Sequence, residues 1–230
     1  MLDINTKSNI NIESLRIDGV STGIVIGGAS TLINIINCYL FNFTNAIFKF
    51  LVPVGTGETI IFTGNYFDSC TAGISMIGVN DSAILNNYFK DGVAAILLNT
   101  AQRIQISNNI IVDSTGIPID ITVTNPVIVG NIINSVTVTG NAFGMRLNGS
   151  GGMILNNVLT DVNATGTGTG ISLINLDSSI VGHNVVLTTT DIGIVVETAS
   201  TGVIVIGNNV SGNTTGISAS TATQQSHNIT

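Results

Sequence analysis

Apolar pairs and triplets recur along this chain, each beside an asparagine and each followed by a turn and a second apolar run. The pattern is clearest in SNNIIVDSTGI (107–117), and it returns in LNNYFKDGVAAI (85–96) and GNNVSGNTTGI (207–217). Apolar runs this short, bounded by turn residues, are typical of β-strands, and recurrence every 22 to 28 residues is typical of a solenoid coil. The pattern therefore predicts about nine stacked coils and almost no helix.

One position in each predicted coil is an asparagine that precedes an apolar pair. In a parallel solenoid, equivalent residues stack at the strand spacing of about 4.8 Å, so a side-chain amide can donate to one neighbour and accept from the other. Aspartate at that position would stack buried like charges. We therefore predict an interior amide ladder, which consists of Asn37, Asn65, Asn87, Asn109, Asn131, Asn157, Asn184 and Asn209.

A second series of positions marks the strand after each turn, and a glycine usually precedes it. Its members are Ile24, Ile47, Ile74, Ile96, Ile117, Met145, Ile171, Ile194 and Ile217. This series recurs independently of the asparagines, and its nine members predict the nine coils. We expect both series to face the interior.

The composition agrees with many short strands and tight turns. Charged residues make up only 8% of the chain, against roughly a quarter in an average globular domain. Asparagine, serine, threonine and the 26 glycines supply the polar surface instead, and most of these residues are poor helix formers. The formal net charge of −7 argues against electrostatic binding to nucleic acid or to an anionic membrane.

No apolar run approaches the roughly 18 residues of a membrane span, so membrane insertion is not expected. The N-terminal sequence MLDINTKSNINIES lacks the basic start and apolar core of a signal peptide. Either the chain is not exported by that route, or a leader was removed. Cys38 and Cys70 fall at different positions of neighbouring coils, so we expect two free thiols.

The phrase I-x-x-N-x-I followed by G-I, as in IQISNNIIVDSTGIPI (104–119) and VIVIGNNVSGNTTGISA (203–219), resembles the right-handed parallel β-helix of the pectate-lyase-like superfamily. The resemblance covers Ile10 to roughly Ser220. It implies an all-β fold, a single-stranded right-handed parallel β-helix of about nine coils. We treat 1–230 as one domain, with coils from about 10 to 220 and a polar C-terminal tail at 221–230.

The superfamily includes pectate lyases, polygalacturonases, alginate epimerases, bacteriophage tailspikes and surface adhesins, so the resemblance does not select a function. The Gly-His-Gly and Arg-Ile-Lys signatures of the polygalacturonase-like hydrolases are absent. The nearest sequence is Gly182-His183-Asn184, in which we expect His183 to lie at a coil corner. We therefore assign no catalytic residue, and a polysaccharide lyase is the alternative if the chain is an enzyme.

Three aspartates follow the ladder asparagines of successive coils. Asp68, Asp91 and Asp113 would lie about 5 to 10 Å apart on one edge, where carboxylates repel one another or share a cation, and Lys90 lies among them. They are either ordinary turn residues or a metal site, for which calcium is the expected ion. No other cofactor is expected. In the lyase alternative, these four residues would carry the chemistry.

The aromatic residues are concentrated in the first half of the chain, between Tyr39 and Phe89, with only Phe143 beyond. They form either an interior stack in the second to fourth coils or a contact surface for a ligand. On the second interpretation Tyr66 and Tyr88, together with Lys90, are the candidate carbohydrate-binding residues.

The residues directly after the ladder asparagines should face outward, yet all of them are apolar. Over eight coils they would form a stripe about 35 Å long. Either strand propensity explains the stripe, or the corner turns it inward, or it is a surface for lateral association. The stripe consists of Cys38, Tyr66, Tyr88, Ile110, Ile132, Val158, Val185 and Val210.

The sequence thus favours a non-catalytic structural or receptor-binding component of a virion or cell-surface fibre that presents loops to a surface polysaccharide. The longer segments 52–58, 148–152 and 163–169 are the expected recognition loops. We expect a homo-oligomer, and the resemblance to tailspikes favours a trimer. The corresponding location is the virion, or the extracellular space and cell surface.

Overall fold

The computed structural model describes residues 1–5, 7–19, 21–27, 30–49, 59–219 and 223–230. Within these ranges every regular element is a β-strand, as the short apolar runs predict. The strands are β1 (Leu2–Asn5), β2 (Ser8–Glu13), β3 (Arg16–Asp18), β4 (Thr22–Gly27), β5 (Thr31–Ile36), β6 (Tyr39–Phe41), β7 (Asn45–Lys49), β8 (Ile60–Thr63), β9 (Tyr66–Asp68), β10 (Ala72–Ile77), β11 (Ala83–Leu85), β12 (Tyr88–Lys90), β13 (Ala94–Gln102), β14 (Gln105–Ser107), β15 (Ile110–Ser114), β16 (Ile119–Thr124), β17 (Val127–Val129), β18 (Ile132–Val138), β19 (Ala142–Ser150), β20 (Met153–Leu155), β21 (Val158–Ala164), β22 (Gly168–Asp177), β23 (Ile180–Gly182), β24 (Val185–Leu187), β25 (Ile192–Val196), β26 (Ile204–Ile206), β27 (Thr215–Ala219) and β28 (Gln224–Ser226).

These strands form three parallel sheets that run the length of the solenoid. The first sheet has the order β1-β4-β7-β10-β13-β16-β19-β22-β25-β27, the second β2-β5-β8-β11-β14-β17-β20-β23-β26-β28, and the third β24-β21-β18-β15-β12-β9-β6-β3. Each strand therefore pairs with the equivalent strand of the next coil. Ten strands in the first sheet correspond to about nine turns, which confirms the predicted all-β parallel β-helix.

Residues in the left-handed backbone conformation make the coil corners. In one coil Asn125, Gly130 and Ser135 have φ values of 53°, 68° and 61°, so two walls of the coil, which contain β17 and the first part of β18, each run five positions between left-handed residues. Asparagine and glycine tolerate this conformation better than other residues do. Five residues at about 3.3 Å each make these two walls about 16 Å wide, and the first sheet forms the longer wall.

The Gly-Ile repeat is explained by packing at the corner that leads from the third sheet into the first. At Gly170, an added Cβ would lie 2.1 Å from Val186 Cγ1 and 2.6 Å from the carbonyl oxygen of Gly193. At Gly73 it would lie 2.7 Å from the ring of Phe89. Only a very small residue fits there, and the isoleucine that follows it then points into the core.

The amide ladder exists and runs through the corner between the second and third sheets. In each step the side chain of one asparagine donates through Nδ2 to the Oδ1 of the next, at 2.9 to 3.1 Å. The same Oδ1 accepts the backbone N–H of the previous asparagine, as Asn87 shows at 3.0 Å from Asn109. The ladder consists of Asn65, Asn87, Asn109, Asn131, Asn157, Asn184, Asn208 and Asn228.

Two predicted members of the ladder, Asn37 and Asn209, are wrong. Asn37 has a φ of 52° and occupies the corner, and the interior position goes to Cys38, whose N–H donates to Asn65 Oδ1 over 2.9 Å. Near the other end, Gly207 takes the corner with a φ of 65°, so Asn208 points inward. Asparagine suits the corner and the ladder equally well, so sequence alone left these two positions uncertain by one residue.

The isoleucine series needs one correction, because Ile119 and not Ile117 pairs with Ile96 and Met145. The coils also extend beyond the predicted limits of about 10 and 220. β1 begins at Leu2, and the residues 223–230 that were predicted as tail contain β28 and the ladder residue Asn228.

Cys38 and Cys70 are both free and buried, which confirms the prediction of two free thiols. No helix in the described part of the chain is long and apolar enough to span a membrane.

Candidate functional site

Four of the predicted site residues lie together on the outer face of the third sheet. Tyr66 and Asp68 belong to β9, and Tyr88 and Lys90 are their register neighbours in β12. Because side chains alternate along a strand, these residues point outward while Phe67 and Phe89 point inward and stack at 4.6 Å. The interior aromatic stack is therefore made by the phenylalanines, and the tyrosines are on the surface.

The tyrosines form a surface ladder of their own. The ring centroids are 4.6 Å apart for Tyr39 and Tyr66 and 5.0 Å for Tyr66 and Tyr88, with nearly parallel planes. The guanidinium of Arg16 lies 5.3 Å from the Tyr39 ring. Both faces of Tyr66 are therefore covered, so a sugar ring cannot stack on it and only its edge and hydroxyl are available. Burial, and then the charge of Asp68, raise the pKa of Tyr66, so its hydroxyl stays protonated.

The three predicted metal ligands do not form one column. Asp68 lies in a strand, where its carboxylate accepts hydrogen bonds from Ser69 Oγ at 2.9 Å and from the Tyr39 hydroxyl at 3.3 Å. Asp91 and Asp113 lie at left-handed corners, with φ values of 52° and 55°. Across the ranges that the structure describes, no three His, Cys, Asp or Glu side chains are placed to hold a metal ion. The calcium site stays a prediction.

Lys90 pairs with Asp91, whose carboxylate lies 3.1 Å from Nζ. The hydrogen bond that the Lys90 ammonium group donates to Asp91 raises the pKa of Lys90 above its usual value. Lys90 therefore stays a charged ammonium group, which can bind an anion but is a poor general base.

A second candidate site, which the sequence analysis missed, lies on the outer face of the first sheet. Asp120 of β16 and Arg146 of β19 are register neighbours. Arg146 donates from Nε to Asp120 Oδ1 at 3.0 Å and from Nη2 to Oδ2 at 2.6 Å, and its guanidinium lies 5.6 Å from the ring of Phe143. The hydrogen bond to Asp120 raises the pKa of Arg146. The pair is thus a rigid, two-point contact that leaves Nη1 outside it.

This ion pair lies in an open groove of ≈ 310 Å³ across β13, β16, β19 and β22. Amides, hydroxyls, the ion pair and aliphatic side chains line it together. The lining residues are Leu97, Leu98, Asn99, Asp120, Thr122, Arg146, Asn148 and Ile174. A neighbouring depression of ≈ 290 Å³ shares Thr122 and extends along β13, β16 and β19. Mixed polar and apolar lining of this kind suits a hydroxylated ligand that also has apolar faces.

One of the three predicted recognition loops reaches this groove. Asn148 lines the groove and Gly149 lines the depression beside it. The strand register shifts between Asn148 and Ser150, so the segment 148–152 departs from the regular coil there. The segment 163–169 connects the third sheet to the first, and the segment 52–58 lies outside the described residues.

A signal for the ion pair was present in the sequence. Arg146 directly follows the inward Met145, and Asp120 directly follows the inward Ile119. The predicted series took Ile117 as the inward residue that pairs with Met145. In that register Pro118, and not Asp120, would lie beside Arg146. The turn before β16 is longer than the repeat predicted, and that difference concealed the pair.

The predicted apolar stripe is confirmed for its six central members, from Tyr66 to Val185, which are register neighbours on the outer face of the third sheet. Ile110 and Ile132 are 38% and 42% exposed. The prediction is wrong for Cys38 and Val210. In these two coils the ladder position lies one residue away from the predicted asparagine, which places both side chains in the interior. Tyr39 takes the place predicted for Cys38. His183 is an exposed corner residue with a φ of 54°, as predicted.

Comparison with known families agrees with this architecture. Residues 73–229 match the model described as right handed beta helix region. Residues 2–138 match the model described as periplasmic copper-binding protein (NosD). No match to a curated protein sequence was found.

Solved structures of three kinds are similar to this chain. The periplasmic alginate epimerase AlgG is 12% identical, with a TM-score of 0.57 over 99% of this chain and 76% of that one. A mannuronic acid specific polysaccharide family 6 lyase from human gut microbiota is 11% identical, with a TM-score of 0.55 over 95% and 70%. The Dettilon tailspike protein is 13% identical over 95% and 52%, with a TM-score of 0.48.

At these identities the first two similarities establish the fold alone, and the tailspike similarity is too weak to support an argument. The family match is stronger evidence, because the beta helix model covers well over half of the residues. The three parallel sheets agree with that family. The chain belongs to the right-handed beta helix family.

Proposed function

We propose that this chain is a non-catalytic, polysaccharide-binding component of a fibre on a virion or cell surface, and that it binds the glycan in the groove around Asp120 and Arg146. The observation that carries the proposal is the two-point ion pair in that open groove. In the fibre, copies of the chain associate side by side.

The groove offers what a hydrated sugar chain needs. Sugars present hydroxyls that donate and accept, together with apolar ring faces. Asn99, Thr122 and Asn148 supply amide and hydroxyl groups, while Leu97 and Ile174 supply apolar surface. The guanidinium of Arg146 is held in place by Asp120, so Nη1 can donate to a sugar oxygen or carboxylate without a large loss of side-chain entropy.

The state of the charged groups supports binding over proton transfer. A general acid or base works best when its pKa lies near the working pH. Here Asp120 is engaged by Arg146 through both oxygens. Lys90, the base of the lyase alternative, is kept protonated by Asp91. These groups can position a ligand, but they are poorly placed to move protons.

The choice of ligand class draws on the structural relatives. An alginate epimerase and a mannuronic acid specific lyase have names that refer to acidic polysaccharides. Both share only the fold with this chain, so acidic polysaccharide is a starting point for the experiment. An anionic sugar would also bind more favourably beside the Arg146 guanidinium than on the acidic surface elsewhere on the chain.

The test is isothermal titration of the full chain with alginate oligosaccharides and with a panel of neutral and acidic surface polysaccharides. We expect Arg146→Ala to weaken binding about tenfold or more, because a hydrogen bond to a charged group is lost. Arg103→Ala is the matched control. Arg103 forms a similar two-point pair with Asp81, at 2.6 and 2.8 Å, but lies outside the groove.

Equal losses of affinity in both variants, or no binding to any glycan, would refute the groove as the binding site. The same samples are followed by the ultraviolet absorbance of unsaturated sugar products. Sustained turnover would overturn the non-catalytic assignment and establish the lyase alternative.

A further inference from the structure

The outer face of the second sheet is apolar and uncharged along most of the solenoid. In its described strands from β5 to β28, neither outward column contains a charged residue. One column reads Asn34, Ile61, Ala83, Gln105, Val127, Met153, Ile180, Ile204 and Gln224; the other reads Ile36, Thr63, Leu85, Ser107, Val129, Leu155, Gly182, Ile206 and Ser226.

The apolar character is strongest in four consecutive strands, β17, β20, β23 and β26. Met153, Ile180 and Ile204 stack in register there, and they are 41%, 40% and 37% exposed. Large apolar side chains in an unbroken row on a sheet face are unusual for a surface that faces water throughout. The charged residues Asp81, Arg103 and Asp177 flank this sheet at or beside its left-handed corners and do not lie on the face.

The face is large enough for a stable interface. Nine strands at about 4.8 Å span about 40 Å, and each wall is about 16 Å wide. Two such faces would bury about 1,300 Å² in total, which lies within the range of about 1,200 to 2,000 Å² for specific protein interfaces.

We propose that this face is where copies of the chain associate laterally, second sheet against second sheet. Each chain carries a net charge of −7, so two copies approach with least repulsion and least loss of hydration through the described strands from β5 to β28, whose outward columns carry no charge. The side chains on the face also repeat at the strand spacing. A second copy has the same repeat, so its ridges can mesh with these along the whole length, as in face-to-face sheet packing.

The outer face of the third sheet, where the sequence predicted the apolar stripe, is less suitable. In its first coils the stripe is flanked by Asp68 and Lys90 and is occupied by the stacked tyrosines. An interface there would have to desolvate those charges. This inference builds on the self-association in the proposed function and is independent of the glycan.

The test is sedimentation velocity and light scattering of the full chain at micromolar concentration. We expect an oligomer, and we expect Ile180→Lys to weaken association about tenfold or more, since a lysine at the centre of the face would be buried without a partner. Met153→Lys, in the same column, should have the same effect and covers the case in which the first variant fails to fold. Ile132→Lys, on the third sheet with a similar exposure of 42%, should leave the oligomer intact.

Circular dichroism and thermal melting confirm that each variant is folded. A monomeric native chain would overturn the proposal, since the face would then have some other occupant. Dissociation by Ile132→Lys without dissociation by the second-sheet variants would also overturn it, and would place the interface on the third sheet. Glycan binding by the dissociated variants is measured separately, so failure of the interface and failure of the binding groove can be told apart.

Discussion

Asn109 donates from Nδ2 to the Oδ1 of Asn131 in the next coil over 2.9 Å, and the same oxygen accepts the backbone N–H of Asn109 over 3.0 Å. Nδ2 of Asn109 also donates to the carbonyl of Ile84 in the preceding coil. Both asparagines are completely buried. One side chain therefore connects three successive coils, and the corner cannot open in one coil without loss of hydrogen bonds in its neighbours.

Replacement of this asparagine should be costly. Asn109→Ala leaves the Ile84 carbonyl and the N–H of Asn87 without their partners in a dry interior. Each unsatisfied group costs about 1 to 3 kcal/mol, so we expect the free energy of unfolding to fall by roughly 3 kcal/mol or more. Urea denaturation measures the change.

The neighbouring asparagine is the matched control. Asn108 is an exposed corner residue with a φ of 56°, so Asn108→Gly keeps the backbone conformation accessible. We expect a change within about 0.5 to 1 kcal/mol. Equal losses from the two variants would mean that the ladder bonds contribute little.

Leu32 occupies a left-handed corner, with a φ of 54°. Its side chain is 51% exposed, so it contributes little to the core. It is equivalent to Asn9 of the preceding coil, which has a φ of 58°. The left-handed conformation costs leucine about 1 kcal/mol or more of folding free energy, and it costs asparagine less. We expect Leu32→Asn to raise the melting temperature. Leu97→Asn, at an exposed leucine whose φ is not left-handed, should not; if it gives the same gain, the backbone explanation fails.

The two buried thiols should be unreactive in the native protein. Burial raises the pKa of both Cys38 and Cys70, so the reactive thiolate is scarce at pH 8 and the sulfur atoms are inaccessible. We expect a thiol-specific disulfide reagent to label both cysteines only after denaturation. Rapid labelling of the native chain would contradict the interior position of Cys38 at the end of the ladder.

Asp177 should contribute to stability above acidic pH. The hydroxyl and the backbone N–H of Thr201 donate to its carboxylate at 2.8 and 2.7 Å, and they hold its pKa below the usual value. A carboxyl group with a lowered pKa in the folded state stabilises the fold above its unfolded pKa of about 3.9, and this stability is lost as the pH falls through the folded pKa. We expect Asp177→Asn to melt below the native chain at neutral pH and to converge with it in acid. A constant difference across the pH range would exclude this linkage.

The sequence predicted the fold because every coil repeats the same physical requirements. An inward apolar residue, an amide that bonds in both directions and a small residue at the tight corner each recur once per turn, as Asn109, Ile111 and Gly170 illustrate. Sequence reasoning failed where two requirements select the same residue. Asn37 satisfies the corner and Asn208 the ladder, and composition cannot separate these roles.

The groove was harder to predict for a different reason. The Asp120–Arg146 pair depends on exact register between coils that differ in length, and the extra residues before Ile119 shifted that register by two. Outward columns become visible only when each strand is aligned with both of its neighbours.

The most direct test of the account is a crystal structure of the chain with a bound oligosaccharide selected by the titrations. We predict density for the sugar in the groove of the first sheet, within hydrogen-bonding distance of Arg146 Nη1 and in contact with Asn148. Sugar bound instead along the tyrosine ladder of the third sheet, with the groove empty, would contradict it.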